Sequence, residues 1–342
     1  MSRTRASRLD QDEGVSEIIG VIMLLAMMMS IMAGVWTFLM PYVNDFQDSA
    51  KWSSTEINAD RIEDRIEVTG VAPPQTSTII TMSLVSTGIN ELKSIETWTI
   101  AADTSGLDQI DVRVEGSSIY VSDLNSTAHS IVVSNGEESE NVTLDSGLAE
   151  HDLMIGETLI VEVLDSNDNV IHKHVELMIS GVEIATTIQG GQYQIALVNN
   201  ARASKFPNEA WSVERSPAVS IDELVDGTLR VSILLTDVQM QGRSPSGRSA
   251  TLEFKSGGSS ELFSGDARNL RFNMESNLHS IITPIYHENW LMEHQLNMVS
   301  GTLDEFVGFG PYERASGSDG ITLHPDVKFD LEVDLRRVVV IP

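Results

Sequence analysis

The chain has 342 residues, of which 50 are acidic and 22 are lysine or arginine, so its formal net charge is −28. A surface this negative repels phosphates, and no basic stripe is visible, so the composition argues against nucleic acid as a partner. Cysteine is absent, which excludes disulfides, a thiol nucleophile and thiolate metal sites. The length is sufficient for a membrane anchor and two modest folded domains.

The first predicted element is a transmembrane helix over residues 15–43. Residues 18–43 carry no charged side chain, and as a helix this run is longer than the ~30 Å hydrocarbon core of a bilayer. A removable secretory signal has an apolar region of only ~7–15 residues. Arg3, Arg5 and Arg8 precede the run, and the next basic residue is Lys51. The positive-inside tendency therefore places residues 1–14 in the cytoplasm and the remainder outside the cell.

The junction before this helix reads Asp12-Glu13-Gly14-Val15-Ser16-Glu17-Ile18 and resembles the start of archaeal type IV pilins. The resemblance implies that a prepilin peptidase removes residues 1–14 as a leader by cutting after Gly14, so that Val15 becomes the N-terminus and the helix is retained. The sequence departs from the family pattern at two positions. Glu13 stands where a basic residue is common, and Glu17 is third after the cut, not fifth as in bacterial pilins. The alternative interpretation is an uncleaved signal anchor in which Glu17 is an interfacial charge.

Two features of the helix are expected to serve assembly if the resemblance holds. Glu17 would pair with the N-terminal amine of a neighbouring subunit in a filament. Small residues, among them Gly20, Ala33 and Gly34, would permit close approach of neighbouring helices.

A stalk and linker are predicted over residues 44–74. Pro41 is expected to kink or restart the helix, and residues 70–74 (Gly-Val-Ala-Pro-Pro) are expected to end it. The charged residues of this segment are interpreted as its solvated face: Glu56, Asp60, Arg61, Glu63, Asp64, Arg65 and Glu67.

From residue 75 onward, short β-rich runs separated by Gly, Asn, Asp and Ser predict an antiparallel, β-sandwich-like extracellular head with few helices. A boundary near Gly181 divides it into a first β-sandwich-like domain, residues 75–180, and a second β-rich domain, residues 181–342, with a short helix near 287–298. The clearest strand is the last, in which Phe329, Leu331, Val333 and Leu335 alternate with charged residues. Residues 84–88 and the stretch from Tyr193 to Leu229 are similar to archaeal pilins and to large haloarchaeal-type pilin-like surface proteins.

Candidate metal ligands lie on one predicted strand. His172, His174 and Glu176 alternate along it, so all three project from its polar face, and two histidines spaced in this way can share an ion. Asp165 opens an oxygen-rich segment, residues 165–169, and Glu176 is twelfth from it. An EF-hand requires Gly at the sixth position, where Val170 stands, so a hairpin turn is the preferred interpretation and the prediction is no metal site.

Asn125 and Asn141 match the acceptor pattern for N-linked glycans. No catalytic constellation is found, and no cofactor is predicted. We therefore expect a cell-surface structural protein rather than an enzyme: a minor or tip pilin-like subunit whose head serves adhesion. The expected partners are the lipid bilayer, other pilin-like subunits and a prepilin peptidase. The alternative is a single-pass anchored binding module that forms no filament.

Overall fold

A computed structural model describes residues 6–84, 86–105, 110–123, 127–225, 228–245, 248–297, 307–308, 321–323 and 328–342. For residues 6–17, 291–297, 307–308 and 321–323 the description is limited to the backbone. The chain divides into two units, residues 1–53 and residues 54–342. The division falls inside the first helix, α1 (Ala6–Gly70).

Helix α1 unites two elements that the sequence predicts separately, the transmembrane helix and the stalk. It continues through Pro41, so the expected restart at that residue is wrong. The helix ends at Gly70, as predicted, and a short turn follows in which the Ala72 N–H donates to the Thr69 carbonyl at 3.1 Å. Pro73 and Pro74 come next and cannot continue a helix.

Strands make up most of the head, residues 54–342. The described strands are β1 (Ser77–Ser83), β2 (Thr87–Asp103), β3 (Asp111–Glu115), β4 (Ser118–Ser122), β5 (Ser130–Ser134), β6 (Ser139–Thr143), β7 (Leu148–Glu150), β8 (Thr158–Leu164), β9 (Val170–Ile188), β10 (Gly191–Val198), β11 (Ala201–Lys205), β12 (Ser212–Arg215), β13 (Ala218–Glu223), β14 (Leu229–Met240), β15 (Ser249–Ser276), β16 (Val307–Gly308), β17 (Ile321–Leu323) and β18 (Phe329–Ile341). A second helix, α2 (Ile282–Asn297), lies between β15 and β16 and confirms the predicted helix, with an earlier start.

The described strands form one large sheet of fifteen strands and a separate sheet of three. The main path of the large sheet is β12-β11-β10-β9-β2-β15-β18-β14-β13, and the small sheet has the order β3-β4-β7. Strand β15 belongs to both halves of the large sheet, because it pairs with β18 over Glu253–Ala267 and with β2 over Arg268–Ser276. Its register shifts at both pairings, as expected of a strand that turns a corner between two packed sheets.

Side chains from the two halves meet in a common core, which confirms a mainly β, sandwich-like head. Trp98 and Val175 come from one half, and Val231 and Val333 from the other; all four are fully buried in the same cluster. The prediction of antiparallel pairing fails at one ladder, because β14 and β18 are parallel. The chain between them passes through β15 and α2, which is long enough for the crossover that a parallel pair requires.

Long strands in this head change the face that they bury. In β18, Phe329, Leu331, Val333 and Leu335 are buried in one cluster, as their alternation predicts, whereas Val338 and Val340 belong to another. Strand β14 changes at the same level, from Leu235 to Val238. Since successive side chains point to opposite faces of a strand, the two clusters lie on opposite faces here.

Strand β9 runs through residues 180 and 181, where the domain boundary is predicted. Ile179 belongs to the first cluster and Val182 to the second, so β9 changes its buried face at this point. Gly181 stands at the change. A Cβ atom there would lie 2.5 Å from the Leu197 carbonyl oxygen, so only glycine allows β9 and β10 to approach this closely.

The last turns of α1 cover the second cluster. Ala59, Ile62 and Ile66 are spaced three and four residues apart and are buried against sheet residues that include Ile184 and Phe254. The Asn58 amide, also buried, donates to the Ser83 carbonyl oxygen at 2.9 Å. These contacts hold residues 54–70 of the helix to the sheet.

Arg202 on β11 joins this helix to the sheet by charge. Its guanidinium contacts the carboxylates of Glu56, Asp60 (2.5 Å) and Glu63 (3.4 Å) of α1, and its Nε lies 2.7 Å from Glu214. The Arg202 side chain is only 12% exposed. The predicted solvated face of the stalk is therefore partly wrong, because three of its acids bind Arg202. Glu56, Asp60 and Glu63 can all reach Arg202 because residues spaced three or four apart lie on the same side of a helix.

Replacing Arg202 with methionine should destabilise the head by about 3 kcal/mol, because Glu56, Asp60 and Glu214 lose the largely buried counter-charge that they share. The matched control is Arg230→Met, which breaks an exposed ion pair with Asp330 and should cost at most about 1 kcal/mol. Urea unfolding of the full chain in detergent, followed by tryptophan fluorescence, measures both free energies. Equal losses in the two variants would show that the Arg202 contacts do not hold the helix.

Candidate functional site

The most prominent feature of residues 18–43 is a continuous, exposed apolar surface on α1. From Ile18 to Val43 the side chains of α1 are exposed, with Met23 at 70% and Phe38 at 68%. This part of the helix is long and apolar enough to span a membrane, which makes it a candidate membrane span. An apolar patch of this size in water marks a surface made for a membrane or for another protein.

Polar groups within this surface are satisfied by the helix itself. The Ser30 hydroxyl donates to the Ala26 carbonyl oxygen and the Thr37 hydroxyl to the Ala33 carbonyl oxygen, both at 2.8 Å. Such bonds to the preceding turn let hydroxyl groups enter an apolar medium without an unpaired donor. The helix can therefore be transferred out of water without losing a hydrogen bond at these residues.

The predicted assembly residues lie on this helix. Gly20, Ala33 and Gly34 are exposed, and a Cβ atom built on either glycine meets no atom within 4 Å. The space beside them is open to another helix. Gly14, Val15 and Glu17 belong to the backbone-only part of α1, so the predicted processing position and the side chain of Glu17 lie outside the described side chains.

Two arginines at the centre of the apolar run should prevent stable membrane association. We expect Met28→Arg with Met32→Arg to lose most of the membrane-bound protein, since each arginine costs about 3 kcal/mol near the middle of a span. The control is Ile57→Arg with Val68→Arg, two exposed apolar positions later in the same helix. Recovery in carbonate-washed membranes provides the measurement, and unchanged recovery of the first variant would contradict the assignment of the span.

The histidine-bearing face of β9 is buried, which corrects the interpretation of this face as simply polar. His172 and His174 are 0% and 2% exposed. On the neighbouring strand β8, Val161 and Val163 pair with the two histidines and pack with Val112 of the small sheet, so that sheet covers this surface. Burial lowers the pKa of His172, although its hydrogen bond to Asp103 opposes the effect.

Carboxylates hold one nitrogen of each ring. His172 Nδ1 lies 2.7 Å from Asp103 Oδ1, and His174 Nε2 lies 3.2 Å from Glu176 Oε1. The Asn269 amide donates to the other oxygen of Asp103 at 3.1 Å. Across the part of the chain that the structure describes, no three His, Asp or Glu side chains are placed to hold a metal ion.

Asp165 lies in a hairpin turn between β8 and β9, which confirms the preferred interpretation of this segment. Its carboxylate accepts bonds from the Asn167 N–H at 2.7 Å and from the Asn169 N–H at 2.9 Å. A further bond comes from the Asn169 side-chain amide, and the bonds from Asn169 are the main reason why the pKa of Asp165 is lowered. The oxygens therefore stabilise the turn.

Of the two predicted glycan acceptors, Asn141 is exposed on β6, where an attached glycan would reach solvent. Asn125 lies outside the described residues. Glycosylation at both positions stays a prediction.

A buried carboxyl group that sequence reasoning missed lies in the main core. Glu96 is 1% exposed beside an aromatic group formed by Trp98, Tyr286 and Trp290, and the Trp98 indole N–H donates to its Oε2 at 3.0 Å. Burial raises the pKa of Glu96 to about 7, while hydrogen bonds to Trp98 and Asn199 oppose the shift. No local sequence pattern marks Glu96 as buried, because Asn199 and Tyr286 beside it are distant in sequence.

Stability should fall as the pH rises from about 4.5 to about 7. In this range Glu96 is ionised in the unfolded chain but still protonated in the folded one. The free energy of unfolding therefore falls by about 3 kcal/mol across the range. Glu96→Gln keeps the shape of the side chain and should flatten this part of the pH profile, measured as the free energy of unfolding at each pH. The control is Glu253→Gln, which removes one charge at a partly exposed position. A Glu96→Gln profile with the wild-type slope would contradict the assignment.

Comparison of the chain with protein-family models, with curated proteins and with solved structures gave no match.

Proposed function

We propose that the chain is a type IV pilin-like subunit, minor or at the tip of a cell-surface filament, that assembles through the apolar part of α1. Its acidic head would be displayed for adhesion or interaction. In this proposal residues 1–14 are cytoplasmic and are removed after Gly14, the helix is held in the bilayer before assembly, and the head is outside the cell. Its role is structural rather than enzymatic.

The main support for the proposal is that two parts of the single helix α1 differ in the exposure of their apolar side chains. Residues 18–43 expose apolar side chains on all sides, whereas residues 54–70 bury one side against the sheet. A simple anchor needs only the first property. A helix that continues into the folded head, fixed there by Arg202, suits a subunit whose helix must carry its head into an assembly.

The apolar surface also suits transfer between a membrane and a filament core. In both media the helix meets apolar neighbours, and the open space at Gly20 and Gly34 admits a second helix at close range. A carboxylate at Glu17 and the amine of Val15 would each be costly beside such a core unless they are paired.

The second candidate function is an anchored binding module, and a cavity in the head favours it. The cavity has a volume of about 560 Å³, and its lining includes the side chains of Glu157, Asp237, Gln239 and Arg337. Its size falls in the range of small-molecule sites. A module of this kind would need the membrane span but no neighbouring subunits.

A single substitution distinguishes the two functions. Glu17→Gln should leave processing after Gly14 and membrane insertion intact but should strongly reduce recovery in sheared surface filaments, because the partner amine is left unpaired. The matched control is Glu13→Gln, which makes the same change in the segment that processing removes. Mass spectrometry of the mature protein determines the N-terminus, and the sheared fraction reports assembly.

If the mature protein still begins at residue 1, the pilin proposal is rejected and the interpretation of the helix as an uncleaved membrane anchor is kept. Equal recovery of wild type and Glu17→Gln in filaments would reject the pairing role of Glu17. Absence of the wild type from sheared filaments would favour the anchored binding module.

A further inference from the structure

Strand β1 is an edge strand that lacks the usual protection of an edge. Its seven residues, Ser-Thr-Ile-Ile-Thr-Met-Ser, contain no charge and no proline, and its register with β15 is regular from Ser77 to Ser83. In the described residues it pairs with no strand other than β15. Natural proteins normally protect such edges with charges, prolines, bulges or short length, because an open edge accepts another strand.

The other edge strands of this head follow that rule. Among the described strands of three or more residues, each remaining edge strand carries a charged side chain: β3 has Asp111, β6 has Glu140, β7 has Glu150, β12 has Glu214 and β13 has Asp222. Strand β1 is the exception in a chain of net charge −28. The difference is therefore specific to this edge.

Backbone geometry shows which groups face outward. The Leu84 N–H donates to the Arg248 carbonyl oxygen at 2.9 Å, and the Ser256 N–H donates to the Thr76 carbonyl oxygen at 2.8 Å. Even-numbered residues thus form the bonds to β15, and the alternation of an antiparallel ladder turns the N–H and C=O groups of Ser77, Ile79 and Thr81 outward. Farther along the strand, the Ser83 carbonyl is occupied by the Asn58 amide.

The open part of the edge is centred on Ile79, whose side chain is 64% exposed. We propose that β1 pairs with β1 of a second copy of this chain, antiparallel and about a two-fold axis through Ile79. In this register Ile79 lies opposite Ile79, and Ser77 lies opposite Thr81. Two exposed isoleucines are covered together, and the outward backbone groups of both strands form hydrogen bonds.

Charge identifies a second copy as the occupant. Each copy has a formal net charge of −28, so two copies repel each other wherever their acidic side chains come close. An uncharged strip that meets its own copy avoids this repulsion, and an isologous contact requires no other partner. The inference does not depend on the proposed filament, since an anchored module could form the same pair.

The absence of cysteine allows a register-specific test on the full chain in detergent. Ile79→Cys should form a disulfide-linked dimer on mild oxidation, since directly opposite residues lie about 5.5 Å apart, within the reach of a disulfide. Thr81→Cys alone is the matched control on the same strand. Its two copies would be separated by about four residues along the strand, roughly 13 Å, and should not link. A mixture of Thr81→Cys and Ser77→Cys chains should link.

A charge at the centre of the pair should separate the two copies. Ile79→Glu places two carboxylates opposite each other, and each lies beside Glu253, which pairs with residue 79 on β15, so dimerisation should weaken by about tenfold in sedimentation equilibrium. Val225→Glu, at a fully exposed position outside the strands, should leave dimerisation nearly unchanged. Thermal unfolding of both variants verifies that the fold is retained.

Equal linking of Ile79→Cys and Thr81→Cys would overturn the proposed register. A dimer that resists Ile79→Glu, or a full chain that is monomeric at all concentrations, would overturn pairing through β1. Disulfide linkage of the Ile79→Cys chain to a different protein would overturn the assignment of a second copy as the occupant.

Discussion

The structure of the head depends on one constraint. The two hydrophobic clusters lie on opposite faces of the sheet, so a strand that contributes to both must change the face that it buries. Strands β9, β14 and β18 each bury one set of alternate side chains for part of their length and the opposite set beyond it. Gly181 permits the change in β9 because no side chain would fit against the Leu197 carbonyl. The change creates a second apolar surface, and the end of α1 covers it. The need to cover that surface explains where the helix docks, where Arg202 lies and how β1 runs.

Charge determines how the helix covers the surface. Burial of Ala59, Ile62 and Ile66 stabilises the contact between the helix and the sheet. It does little to fix the orientation of the helix, because the hydrophobic effect is not directional. Arg202 adds direction, because its planar group reaches acids on successive turns and on a neighbouring strand. Acidic neighbours stabilise its charged form and raise its pKa despite burial. The helix is thereby held in one register on the sheet.

Much of the fold could be predicted from local patterns, and the failures share a cause. The buried face of β18 was predicted, because Phe329, Leu331, Val333 and Leu335 alternate with charged residues in the sequence. The change of buried face within β9 was not predicted, because it depends on which other strands and helix cover each side of the strand. The parallel β14–β18 pair, the charge partner of Glu56 and the burial of Glu96 arise from residues distant in sequence, which periodicity does not report. For the candidate site, the exposed helix was predictable from its length and lack of charge, whereas the uncharged edge of β1 is recognisable only once its neighbours are known.

Strand β18 has a consequence for the time course of folding. It is the last of the described strands in chain order, yet it lies in the interior of the sheet between β15 and β14. During synthesis from the N-terminus, β14 cannot pair with β18 until residues 329–341 have been made. The two strands are about a hundred residues apart in the sequence. Such distant pairings form slowly and leave unpaired strands exposed in the meantime. Synthesis of residues 329–341, rather than local strand formation, therefore sets the earliest moment at which this head can be stable, and removal of β18 would leave β14 and β15 without the strand that joins them.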